Sequence, residues 1–139
     1  MTLLIFFILT AVSAALILIV PNKMLTRSLT AVSGISLAAL AVQSWFRPGE
    51  SDLFYFIYDS PAVLFLSVLA VIYPAVIIHG FIYSSKDDNR KHSIYHASLI
   101  ILAACISGAY LSSNLAALWI FAEAATLAVA GLIYHDRTA

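Results

Sequence analysis

Charge is what this chain has least of. Of its 139 residues only 10% are Asp, Glu, Lys or Arg, against about a quarter in an ordinary soluble domain. Seven basic residues balance seven acidic ones, so no excess of positive charge exists to hold a nucleic acid. A single cysteine, Cys105, excludes a disulfide scaffold and a cysteine-based zinc site. No glycine-rich phosphate loop and no nucleophile elbow is present. What fills the sequence instead is apolar: 63% of residues are hydrophobic and the mean hydropathy is +0.99. That composition excludes a soluble globular enzyme and a disordered tail, and leaves a polytopic membrane protein.

A bilayer core about 30 Å thick takes roughly 20 apolar helical residues to cross. Five stretches satisfy this: 2–20, 28–46, 61–83, 93–111 and 115–134. None shows the alternation of a strand, so the predicted class is all-α, a single transmembrane helical domain over 1–139. The first stretch lacks a basic leader and is longer than a usual signal-peptide core, which predicts a retained helix. With the N-terminus outside, six Lys and Arg fall on the cytoplasmic side and Arg47 alone falls outside. The positive-inside rule therefore predicts N-out and C-in. The connection 47–60 is aromatic-rich and ends on Asp59, Ser60 and Pro61, the cap and first-turn residues of a helix. Its aromatic residues suit an interfacial belt.

Glu123 is the only carboxylate inside a span. A charge at a helix centre costs about 2.5–3.5 kcal/mol for insertion, so such a group needs a partner or a proton and by default faces a bundle interior. Its helix is rich in small residues (Ala116, Ala117, Ala122, Ala124, Ala125, Ala128, Ala130, Gly131), which predicts close packing on several sides. No basic residue falls inside a span, so the counter-charge has to come from outside this sequence. His79, near the end of the third span, is a second candidate for proton handling, and Ser107 and Thr126 are candidates to extend a path. Pro74 is expected to kink the third helix and free a carbonyl. His96 opens the fourth span, and His92 and His135 read as interfacial. His92 and His96 are four apart, but a third ligand is missing and no metal site is expected.

The run from Asn114 to Leu127, with Trp119, Glu123 and Thr126, resembles the fifth helix of the antiporter-like proton-translocating subunits of respiratory complex I, Mrp antiporters and membrane-bound hydrogenases. Those helices open on Asn or Asp followed by Leu and carry a glutamate in an aromatic, leucine-rich run. Residues 93–113, with Tyr95, Gly108, Leu111 and Ser112, are similar to the family's fourth helix. Tyr58-Asp59-Ser60-Pro61-Ala62-Val63-Leu64-Phe65 is similar to the start of its third. The resemblance covers the chain from Asp59 onward; the first two helices fit in number and length. Trp119 and the stretch Glu123–Leu127 look most like the hydrogenase branch. Complex I members more often place Trp directly before the glutamate, where this chain has Ala122.

The resemblance implies that Glu123 pairs with a lysine on a later helix. Protonation changes in that pair would couple proton movement to electron transfer in a separate arm, with no redox centre or other cofactor in this subunit. It implies a fold of about fourteen helices built on inverted repeats, with broken helices lining a midplane path. This chain supplies roughly the first third of it, and the lysine-bearing helix would lie in another chain or a further segment. It also implies the inner, cytoplasmic membrane of a prokaryotic-type cell and a multi-subunit assembly. The competing expectation is a non-conducting scaffold or assembly subunit in which Glu123 only locks helix packing. A stand-alone transporter fits poorly, because one charged residue in five helices offers little aqueous path.

Overall fold

The computed structural model describes residues 1–137, with side chains through Tyr134; the side chains of His135 and Arg137 lie outside the described residues. Five long helices make the fold: α1 (Thr2–Ile19), α2 (Lys23–Trp45), α3 (Ser60–Tyr83), α4 (Asn89–Leu111) and α5 (Leu115–Arg137). All five are long and apolar enough to cross a membrane. Two-residue strands, β1 (Ser51–Asp52) and β2 (Phe56–Ile57), pair antiparallel between α2 and α3, and a 3₁₀ turn (Ser84–Lys86) joins α3 to α4.

The helix starts follow local chemistry. Asp59 caps α3 by accepting from Ser60 N–H at 2.8 Å, and Pro61 occupies the first turn, as the sequence predicts. Asn22 caps α2 by accepting from Met24 N–H at 3.0 Å. Two boundaries differ from expectation. α2 begins at Lys23 rather than 28, and α4 at Asn89 rather than 93, so Lys23, Arg27, Arg90 and Lys91 ride on helices rather than in connections. Hydropathy trims a span where charges begin, whereas a helix continues wherever backbone hydrogen bonds do. The aromatic-rich segment is part of a hairpin rather than a belt alone: residues 53–55 form its tip, and Phe56 and Ile57 its second strand. Leu53 and Phe54 both take left-handed φ, at 55° and 62°, to turn the chain between the two strands.

α4 is the hub, packing against α1, α2, α3 and α5, while α1–α2 and α2–α3 are also neighbours. Leu3, Leu37, Leu40, Leu66, Ile100 and Leu111 form the most enclosed part of the core. α5 lies outside this four-helix core. Half of α4's apolar stretch is buried, against 6% of α5's. A notch at Gly108 on α4 receives the ring of Phe121, which also stacks on Phe7 of α1 with centroids 5.5 Å apart.

The connections define two ends. At one, the Met1 ammonium meets Asp52 at 2.6 Å and Ser113 N–H donates to the Tyr55 carbonyl at 2.8 Å, which ties α1, the hairpin and the α4–α5 connection together. At the other, Lys23 Nζ donates to the Ser85 carbonyl at 3.2 Å, and Arg27 lies over the Phe81 ring, 5.8 Å from its centroid. Among the described residues this second end carries Lys23, Arg27, Lys86, Arg90 and Lys91, and the first carries Arg47.

Candidate functional site

Asn114 starts α5: its side chain accepts from Ala117 N–H at 2.9 Å. From there the residues turned toward the core are Ala117, Phe121, Ala124, Ala125, Ala128 and Gly131, at helical spacing. Glu123 lies two residues from both Phe121 and Ala125, roughly 200° round the helix from each. It therefore points away from the other four helices and is exposed. This corrects the expectation of a bundle-facing acid on a helix packed from several sides. Small side chains occupy both faces of α5, so composition alone does not say which face is covered. Contact with α4 decides it, through Phe121 at Gly108 and Gly131 against Ser98.

The surface around Glu123 is apolar. Trp119, Ile120 and Leu127, its neighbours at one helical turn, are 65%, 61% and 73% exposed. A shallow apolar groove runs beside it, lined by Leu115, Ala116, Leu118, Trp119 and Ala122. The Glu123 carboxylate makes no hydrogen bond or ion pair among the described residues. Thr126 is exposed on the same side and spends its hydroxyl on the Glu123 carbonyl at 2.7 Å.

The other candidates lie elsewhere. His79 is exposed on α3 and stacks on Tyr83, with centroids 6.1 Å apart. Ser107 is fully buried on α4 and donates to its own helix at Ala103 O, 2.8 Å away. Pro74 sits on an exposed face of α3, which runs unbroken through it; its ring removes the N–H that Ala70 O would otherwise accept. Nothing brings His79, Ser107 or Pro74 to Glu123.

The core holds a polar cluster of which the sequence reads His92 as interfacial and His96 as opening the fourth span. His92, His96 and Ser84 are each 0% exposed, with Ser84 Oγ 2.8 Å from His92 Nδ1 and 3.3 Å from His96 Nε2. The four-residue spacing of the histidines was the available signal, because it puts both on one helix face. Further along the core, Thr26 meets Ser93 at 3.3 Å and Ser33 meets the Tyr73 hydroxyl at 3.1 Å, while Thr30 and Ser33 also bond carbonyls of their own helix. Among the described residues no three His, Cys, Asp or Glu side chains converge as metal ligands would.

No protein-family model, curated protein or solved structure matches this chain.

Proposed function

We propose that the chain is a proton-translocating, antiporter-like membrane subunit, or the N-terminal part of one, in a complex I-like or hydrogenase-type redox-driven ion pump. One observation carries the reading: a mid-helix carboxylate stands on the uncovered face of α5 with no counter-charge among the described residues. In hydrocarbon such a group holds a proton or meets a cation, and alternation between those two states is what a translocating group does. The cation would come from a lysine-bearing helix of a neighbouring subunit or segment seated on the groove beside Trp119. In this reading the rest of the path on Glu123's side belongs to that partner, with Thr126 at its edge. The basic end faces the cytoplasm and the hairpin end faces outward across the inner membrane of a prokaryotic-type cell.

The same exposed position supports a second reading, a non-conducting scaffold subunit in which a protonated Glu123 donates one hydrogen bond across the docking face. Glu123→Gln separates the two when proton pumping and complex assembly are measured apart. Loss of pumping in an intact complex is the expected result. Normal pumping in an intact complex rejects proton handling, and lost assembly without any proton phenotype favours the scaffold.

A further inference from the structure

His92 and His96 pack ring against ring where α3 hands over to α4, with centroids 4.6 Å apart. Ser84 closes the cluster from the end of α3. Its hydroxyl donates to the Gly80 carbonyl at 2.6 Å, so its single proton is used and its oxygen accepts from the imidazoles. A second contact fixes the His92 tautomer: Nδ1 is 3.1 Å from the Ser84 carbonyl oxygen, which only accepts. The hydrogen of neutral His92 is therefore on Nδ1, and Nε2 keeps a bare lone pair. That Nε2 is buried and has no hydrogen-bond partner among the described residues.

The surroundings make this atom a place where one proton matters. The charged groups whose fields reach His92 are Arg27 and Lys23 of α2 and Asp87 of the α3–α4 connection. Lys23 bonds the Ser85 carbonyl and so ties α2 to the connection, while the Ser84 contacts of His92 tie the connection to α4. His96 flanks the ring from α4 and is itself met edge-on by Tyr95, on which Tyr83 of α3 packs with centroids 6.0 Å apart. A proton added at Nε2 makes an N–H with no acceptor in the closed arrangement and a positive ring beside two cations. Rotation of that ring into water gives the new N–H an acceptor and screens its charge, and it breaks the Ser84 contacts that hold the connection down.

We propose that His92, Ser84 and His96 form a proton-binding latch: closed while His92 is neutral, it pins the 84–88 connection to α4, and it opens when Nε2 takes a proton from solvent. The site is separate from Glu123 and does not depend on the pumping assignment.

The test is hydrogen–deuterium exchange of residues 83–95 in the full chain in lipid nanodiscs, read as protection factors from pH 7.5 to 5.5. Wild-type protection is expected to fall by about tenfold per pH unit once the site titrates, the slope for one proton. His92→Asn, whose amide still donates to Ser84 but takes no proton, is expected to stay flat. Protection that is independent of pH in the wild type, or that falls equally in the variant, overturns the latch. Should the variant not fold, ¹⁵N spectra of the wild-type imidazoles decide. His92 as the Nδ1–H form at neutral pH, converting in step with exchange, supports the latch; an Nε2–H form, or no conversion, overturns it.

Discussion

Phe121 occupies the space that a side chain on residue 108 would need. A Cβ built on Gly108 stands 2.6 Å from the Phe121 ring, closer than real atoms approach. α5 is keyed onto α4 by this fit. Gly108→Ala is expected to cost about 1–3 kcal/mol by overpacking and to loosen α5 rather than the four-helix core. Thermal unfolding in detergent, with proteolysis at the 112–114 connection, reads both; Phe121→Ala, which empties the notch, is expected to loosen α5 as well, and the double variant to lose less than the two changes summed.

Ser84→Ala removes the hydroxyl that two buried imidazoles contact. Leaving a buried N–H without an acceptor costs about 1–3 kcal/mol, so the variant is expected to lose stability on that order. His92 keeps the Ser84 carbonyl as a second acceptor, which places the loss at the lower end of the range. The midpoint of thermal unfolding near neutral pH checks it.

At the opposite end, the Asp52 carboxylate is held below its usual range, first by its hydrogen bond with the Met1 ammonium and then by the Leu3 N–H and the same positive charge. A depressed folded value means that this pairing stabilises the protein above the ordinary carboxylate range, near pH 4, and that the gain disappears as pH falls through the folded value. Asp52→Asn is therefore expected to be less stable than wild type at pH 6 and to converge with it near pH 2–3. Thermal midpoints of the two proteins across that range test the sign.

Glu123→Leu separates insertion from docking. Removing a mid-helix acid is expected to favour membrane insertion of α5 by roughly 3 kcal/mol in a translocon assay. On the proposed reading the same variant is expected to lose co-purifying subunits, because the groove beside Trp119 no longer offers a charge to pair. Better insertion with undiminished co-purification counts against docking through Glu123.

The five spans were legible in the sequence because length and hydropathy are local properties. The Asp59–Pro61 start of α3 was legible for the same reason. The starts of α2 and α4 were read late, since Lys23 and the polar run Asn89–His92 look like connection when only hydropathy is weighed, although the backbone there is already helical. The direction of Glu123 was beyond the sequence. Alanines stand on both faces of its helix, and the contacts of Phe121 with Gly108 and of Gly131 with Ser98, between different helices, turn the acid outward. The histidine cluster was half visible. The spacing of His92 and His96 is in the sequence, but Ser84 reaches them from another element, and full burial follows from the packing of α2, α3 and α4 together.

Because α5 is covered on one side only, a copy of this chain without neighbours carries an ionisable group into lipid. Such an orphan pays a continuing solvation penalty that assembly removes. On the reading proposed above, exposed Glu123 marks a subunit whose neighbour is missing, and the lifetime of the subunit follows the supply of whatever covers that face.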